Sequence, residues 1–229
     1  MRRSTMFRTA TAGVATIVIA SGSHATAAVA QTAEQSIASS KSNLAAIAKA
    51  RADSARYPYT AADVRFMSGM IGHHAQAIAM GRWASSHGAS SSVRTLAERI
   101  INAQQDEIVI MQRWLNDRRQ PVPDATAAGM KMMMDGVAHV MLMPGMLTES
   151  QMRQLDAATG PDFDRLFLTF MIQHHNGAVA MVQELFGTYG AGQDETVFKF
   201  ASDVNVDQST EIARMERMLF ALLIESHSH

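Results

Sequence analysis

Residues 63–80 read DVRFMSGMIGHHAQAIAM, and residues 164–181 read DRLFLTFMIQHHNGAVAM. The two stretches share an acidic first position, a Phe, a Met-Ile pair, a His-His pair and a final Ala-Met. The matched positions are all 101 residues apart, as from His73 to His174. Core packing alone would repeat hydrophobicity without repeating His-His. The pattern therefore indicates an internal duplication that carries a paired histidine.

A second pair of stretches supports the duplication. Gln104-x-x-Glu107-Ile108-x-x-Met111 matches Gln208-x-x-Glu211-Ile212-x-x-Met215, with an offset of 104 residues. The three extra residues fall in the Gly-rich loop around 190–193. Each copy therefore contains two helices, and the duplicated unit is a helical hairpin.

The spacing of apolar residues predicts four long helices, over about 61–86, 91–116, 161–187 and 194–224. Thr60 is predicted to cap the first helix, and Thr148-x-x-Gln151 resembles a capping box for a short helix. No segment shows the alternation typical of a strand. Because each hairpin has one apolar face, the two hairpins can bury these faces only against each other. We predict an all-α fold, a four-helix bundle of two hairpins (60–118 and 161–225) joined by a long Met-rich crossover (119–160).

The amino-terminal segment is predicted to be an export signal. Residues 1–30 combine three arginines, an apolar stretch and a small-x-small site that ends at Ala30, as in a Sec-type signal peptide. An uncleaved anchor is the alternative. We predict a periplasmic or secreted protein with a weakly helical tether over 31–59, a bundle domain over 60–225 and no membrane span after cleavage.

Composition excludes several classes of function. The chain has 20 basic and 21 acidic residues, and cleavage after Ala30 removes three arginines and no acids, which leaves a net charge of −4. This balance does not predict a nucleic-acid partner. The chain has no cysteine, so neither disulfides nor thiolate metal sites are available in an oxidising compartment. It has 18 methionines, of which 16 follow the signal segment, and these leave Met, His and carboxylates as possible metal ligands.

The His-His pairs are the strongest sign of a metal site. Imidazole and thioether together suit soft or borderline metals, copper above all. Adjacent helical residues point about 100° apart, so one imidazole of each pair is expected to face the bundle interior and the other a groove or the crossover. The candidate helical ligands are His73, His74, Met67, Met70, Met80, His174, His175, Met171 and Met181. The alternative is that these histidines only pack in the core or form hydrogen bonds.

The partner helices supply candidates for a second shell. Gln104 and Glu107, with their counterparts Gln208 and Glu211, lie one turn apart. A metal-bound histidine commonly donates its second ring N–H to a carboxylate or an amide. These four residues could play that role, ligate directly, or stabilise neutral histidines with no metal present.

The crossover holds a further candidate cluster. Met141, Met143 and Met146 surround Pro144-Gly145, a flexible thioether arrangement that suits Cu(I) or Ag(I), and His139 lies nearby. Read as a helix, the same segment would place methionines in an ordinary core stripe. The sequence does not decide between a thioether cluster for metal binding and a core stripe. The final residues, His227-Ser228-His229, indicate a frayed tail, with adventitious metal binding as the alternative.

Three enzymatic patterns are absent from the sequence. No Glu has a His three residues later, as di-iron bundles require. There is no His-Glu-x-x-His zinc motif, and no Gly-rich phosphate loop.

The chain resembles the domain-of-unknown-function 305 family. The resemblance rests on Phe66-Met67-x-x-Met70-Ile71-x-His73-His74, on its copy over 163–178 and on Met143-Pro144-Gly145-Met146, and it covers about 60–220. It implies a ferritin-like four-helix bundle that is usually secreted or periplasmic, with copper binding and copper tolerance in some members. Leu168, where the first copy has Met67, and the longer loop at 187–193 depart from a perfect repeat.

These observations predict an exported copper-binding protein. It would buffer, store or transfer Cu(I), with Cu(II) or Ag(I) as further ions, and its partner would be a copper acceptor or an efflux protein. A metal-dependent oxidoreductase on the same bundle and a metal-free helical interaction module are the alternatives. We expect no catalysis, although the sequence leaves an enzyme open.

Overall fold

The computed structural model describes residues 35–45, 48, 59–127, 129–134 and 137–226. The predicted signal peptide with its cleavage site at Ala30, and the terminal His227 and His229, lie outside these residues. The chain divides into two units, Met1–Arg51 and Ala52–His229. In the first unit, residues 35–45 form an exposed helix, α1, within the predicted tether.

The second unit contains the four long helices that the sequence predicts. They are α2 (Ala61–Trp83), α3 (Ser91–Asp117), α5 (Gly160–Gly187) and α6 (Glu195–Ser226). A short helix, α4 (Glu149–Asp156), precedes α5. Both predicted caps are present: Thr60 and Asp63 form a capping box on α2, and Thr148 and Gln151 form one on α4.

The crossover differs from the sequence prediction, which found no strands. Strands β1 (Met130–Met134) and β2 (Val137–Met141) form a two-stranded antiparallel hairpin. Met130 pairs with Met141, and Met132 pairs with His139. Alternation failed as a signal because β1 is a run of methionines with one lysine, and this run has no polar face to mark period two.

The four long helices bury their apolar faces in two clusters, and each long helix contributes to both. The first apolar cluster joins the amino-terminal half of α2 to the carboxyl-terminal half of α5, and the second joins the opposite halves. Helices α2 and α5 are therefore antiparallel. Representative members are Phe66, Met70, Met111, Met181 and Val204 in the first cluster, and Met80, Ile100, Phe167, Met171 and Met215 in the second. The all-α class is confirmed, with the crossover hairpin as a small addition.

Two matched aspartates connect the hairpins, because each one binds the loop at the end of the other hairpin. Asp63 at the start of α2 accepts a hydrogen bond of 2.7 Å from Gly192 N in the α5–α6 loop. Asp164, in the first turns of α5, accepts bonds of 3.1 and 3.2 Å from Ser90 N in the α2–α3 loop. Both carboxylates are buried. Each hairpin therefore fixes the loop of the other, which sets the relative height of α2 and α5.

Candidate metal centre

A polar layer crosses the second unit between the two apolar clusters. Its members are His73, His74, His174, His175, Gln104 and Gln208, all of them buried. The layer arises because the matched histidines sit near the middle of two antiparallel helices. The reciprocal aspartate contacts keep those midpoints level.

His73 and His174 meet at the centre of the layer. Their ring centroids are 3.8 Å apart, whereas neighbours within each pair are 6.3 Å apart in the first copy and 6.2 Å apart in the second. The sequence therefore predicted correctly that adjacent histidines diverge. One imidazole of each pair was expected to face a groove or the crossover: His73 contacts the crossover at Pro144 O, and no imidazole faces an open groove, because all four are buried.

The outer histidines face carboxylates on the partner helices. His175 Nε2 donates to Glu211 Oε2 at 2.8 Å. His74 Nε2 also lies 2.8 Å from Glu107 Oε2, but neither atom has a hydrogen-bond partner, because the two groups are out of line. The proposed contact between these histidines and glutamates is thus present in both copies.

The crossover covers His73 with a backbone carbonyl. Met146 N donates to Met143 O at 3.1 Å, and Gly145 has a φ of +76°, so Pro144-Gly145 occupies the corners of a type II turn. Pro144 O accepts a hydrogen bond of 3.0 Å from His73 Nε2. A carbonyl oxygen can only accept, so the proton of neutral His73 is on Nε2 and the lone pair is on Nδ1.

Two glutamine side chains fix this turn from either side. Gln76 donates to Leu147 O at 3.0 Å and accepts from Leu147 N at 2.7 Å. Gln173 donates to Gly145 O at 3.2 Å. The turn also lies directly on Gly177, where an added Cβ would be 1.9 Å from Pro144 O. The crossover therefore has one defined position over the layer.

All four Nδ1 atoms of the layer are buried without a hydrogen-bond partner, and so are both ring nitrogens of His174. The amide of Gln104 and the Oε1 of Gln208 are unpartnered as well. Buried polar atoms without partners are rare and cost about 1–3 kcal/mol each. The chemistry of these atoms, lone pairs on imidazole nitrogen, suits a metal ion.

Burial keeps the two central imidazoles neutral. The pKa of His73 is lowered from 6.5 to about 3, first by desolvation and then by the neighbouring His74, against a smaller opposing effect of the hydrogen bond to Pro144. Desolvation also lowers the pKa of His174 well below its usual value, and His73 lowers it further. Neutral imidazole is the form that binds metals.

A third carboxylate lies near the two glutamates. The pKa of Asp207 is raised, first by desolvation and then by the negative charges of Glu107, Asp203 and Glu211. Glu107 is on α3 and Glu211 is on α6, so this edge of the layer brings charges from two helices together. We call Glu107, Asp207 and Glu211 the carboxylate edge.

The predicted methionine ligands divide between core and crossover. Met67, Met70 and Met181 are buried in the first apolar cluster, and Met80 and Met171 in the second. In the crossover, Met146 is buried and its Sδ accepts a hydrogen bond of 3.4 Å from Met143 N. Met143 is partly buried, whereas Met141 is 47% exposed. His139 lies in β2, and its side chain is outside the described part of the structure.

Among the described residues, no group of three His, Asp or Glu side chains converges on one point as in a preformed metal site. The structure therefore brings the histidines, amides and carboxylates into one layer without fixing a coordination sphere. The ligand role of each predicted residue stays a prediction.

Sequence reasoning missed the residues that position the crossover. The signal was present in the alignment of the two repeats: Gly72 and Gln76 of the first copy correspond to Gln173 and Gly177 of the second. Gly and Gln have exchanged places around the His pair. Each Gln holds crossover backbone and each Gly leaves room for it. Asp207 has no acidic counterpart in the first copy, so the repeat did not single it out.

The fold and the polar layer together define the class of protein. It is an all-α protein of two helical hairpins, with neutral imidazoles buried between two apolar clusters. Residues 63–219 match the model of the domain of unknown function DUF305, and the chain belongs to that family. The predicted resemblance is confirmed. None of the curated proteins matches the chain. Within the described residues, no helix has both the length and the apolarity needed to cross a membrane.

Solved structures of similar proteins support the fold. A DUF305 fragment from Deinococcus radiodurans is 27% identical with a TM-score of 0.59, over 72% of this chain and 99% of that one. A DUF305 protein from Streptomyces coelicolor, provisionally described as secreted, is 26% identical with a TM-score of 0.57, over 70% and 93%. CopM in its Cu(II)-bound form is 28% identical with a TM-score of 0.54, over 69% and 96%. CopM in its Cu(I)-bound form has a TM-score of 0.51 at the same identity, over 68% and 94%.

Proposed function

We propose that this protein is exported and binds soft monovalent metal ions, Cu(I) above all, in order to buffer, store or transfer them. The observation that carries the proposal is the set of four buried imidazoles whose Nδ1 atoms have no partner. CopM, a similar structure, is copper-bound. Both observations support the binding of copper by this chain.

The donor atoms follow from the hydrogen bonds. In His73 and His175, Nε2 donates to Pro144 O and to Glu211. An imidazole that donates through Nε2 presents its lone pair at Nδ1, and such outer contacts fix the ring for metal binding. We assign the Nδ1 atoms of the four layer histidines as the candidate nitrogen donors. The carboxylate and carbonyl contacts orient them.

The methionines have two proposed roles. Met70 and Met171 precede the His pairs by three and four residues, so each lies on the same helical face as a layer histidine. We infer that they offer thioethers to an ion in the layer. Met141 and Met143, at the surface of the crossover, are placed to capture an ion or to pass it to an acceptor.

The test is an anaerobic titration with Cu(I) against a chelating indicator. We expect the folded chain to compete for Cu(I) and not for Mg²⁺ or Ca²⁺, which prefer oxygen ligands. Replacing His73 and His174 together with alanine should weaken Cu(I) binding by at least about tenfold, a typical effect of disturbing a metal shell.

His87→Ala is the matched control. His87 lies outside the layer, and both of its ring nitrogens are within hydrogen-bond distance of carbonyls, Trp83 O at 3.0 Å and Asp156 O at 2.8 Å. This variant should lose stability and keep its affinity for Cu(I). If the double variant and the control show the same affinity as the wild type, the histidines are only structural.

A further inference from the structure

The layer is closed on most of its sides. The apolar clusters close it along the helix axes, and the crossover turn packs backbone against backbone on α5 at Gly177. By contrast, the groups that contact the outer histidines are partly open to solvent: Glu107 is 17% exposed and Glu211 is 22% exposed. The carboxylate edge is thus where the layer reaches solvent.

The negative charges at this edge destabilise the folded chain when no cation is bound. Asp207 precedes Glu211 by one helical turn, and like charges at this spacing destabilise a helix. Glu107 on α3 adds a third negative charge within electrostatic range of Asp207. A cation at the edge would relieve this repulsion.

Buried polar groups without a hydrogen-bond partner lie beside the same edge. His74 is fully buried, and its Nε2 lies 2.8 Å from Glu107 Oε2 without hydrogen-bond geometry, so that both atoms lack a partner. The buried amide of Gln104, one turn before Glu107, is also unpartnered. A cation at this edge would satisfy the unpartnered oxygens of Glu107 and Gln104 at once.

We propose that Glu107, Asp207 and Glu211 receive the incoming cation and form its route into the imidazole layer. The inference rests on the proposed function, because it concerns the path to the same layer. Carboxylate oxygens attract a monovalent cation by charge but are poor ligands for soft ions, whereas imidazole nitrogen holds them. The edge therefore collects the ion, and the layer retains it.

The experiment measures the rate of Ag(I) uptake by the full chain. Silver nitrate in a chloride-free buffer is mixed rapidly with the protein, and free Ag(I) is removed at set times with a thiol resin. Asp207→Asn should slow uptake by about two- to threefold, the effect of one unit charge at about 7 Å in water. The uptake rate of the wild type should fall as ionic strength rises, and that of Asp207→Asn should fall less.

Glu98→Gln is the matched control. Glu98 is exposed on α3 and loses the same charge. It precedes Glu107 by nine residues, about 13 Å along the helix and beyond the screening length of about 10 Å at 0.1 M salt. Its uptake rate should equal that of the wild type.

Two results would overturn the inference: equal uptake rates for Asp207→Asn and Glu98→Gln, or a wild-type rate that does not depend on ionic strength. A faster uptake by Gly177→Ala, with no effect of Asp207→Asn, would place the route at the crossover instead. The stoichiometry of bound Ag(I) at equilibrium is measured in parallel. A wild-type chain that binds no Ag(I) refutes the proposed function, which is a different outcome.

Discussion

Replacing Gly177 with alanine should displace the crossover turn from the imidazole layer. The new Cβ would lie 1.9 Å from Pro144 O, 2.4 Å from Pro144 C and 2.5 Å from Gly145 Cα. All three are backbone atoms, so no side chain can rotate away. Ordinary contact begins at 3.4 Å, so the turn has to retreat by about 1.5 Å.

The magnitude follows from what that movement breaks. Alanine favours the helix by about 1 kcal/mol over glycine. Against this gain, overpacking costs about 1–3 kcal/mol. The hydrogen bonds from His73 to Pro144 O and from Gln173 to Gly145 O, worth about 1 kcal/mol each, are lost as well. The net loss of unfolding free energy is about 2–4 kcal/mol.

Gly72→Ala is the control for this variant. Gly72 is also a helical glycine beside the crossover, but its nearest atoms would be 3.6–3.8 Å from the new Cβ, an ordinary contact. Urea unfolding monitored by circular dichroism should show Gly72→Ala as stable as the wild type, or up to about 1 kcal/mol more stable. If the two glycine variants unfold at the same urea concentration, the turn does not pack on Gly177 as described.

Three further predictions concern the same unit. The unfolding free energy should decrease as the pH is lowered below 6.5, because the pKa of His73 is about 3 in the folded chain and the unfolded chain binds the proton first. The loss from this group alone is about 2 kcal/mol between pH 6.5 and pH 5. Urea titrations that give the same unfolding free energy at both pH values would contradict this prediction. Asp63→Ala should cost about 2–4 kcal/mol, because a cap and an inter-hairpin hydrogen bond disappear together; a melting temperature equal to that of the wild type would be the contrary result. Replacing Met141, Met143 and Met146 with leucine should leave the chain folded, since such swaps usually cost under about 1.5 kcal/mol each, and should slow the exchange of isotope-labelled copper; an unchanged exchange rate would mean that these methionines only pack.

The helices could be predicted from the sequence because their signals are local. Caps such as Thr60 and Thr148, and apolar spacing at period 3.6, act within a few residues along the chain. The duplication added a long-range constraint, since two identical apolar faces have to meet. The hairpin of β1 and β2 was missed because its methionines carry no alternation, although the sequence Asp135-Gly136 between the two strands is a local signal for a hairpin.

The residues of the site could be predicted from the sequence, but their arrangement in space could not. The repeat identified His73, His174 and the two glutamates, because duplicated polar residues stand out against apolar neighbours. It could not show that the two central rings meet at 3.8 Å, since that depends on the antiparallel docking of α2 and α5. The contact of Pro144 with His73 joins residues 71 positions apart, and a backbone carbonyl leaves no mark in the sequence.

The exchanged loop contacts of Asp63 and Asp164 have a consequence for how the molecule unfolds. Each aspartate is buried against a loop that the other hairpin supplies. The second hairpin alone leaves Asp164 without the Ser90 donor, and the first alone leaves Asp63 Oδ1 without the Gly192 donor, with only the cap contact to Thr60 retained. Neither hairpin reaches its full stability until it packs against the other, as in an obligate dimer whose two subunits have been fused into one chain. The two copies are thus coupled into one cooperative unit, although the sequence repeats them as separate modules.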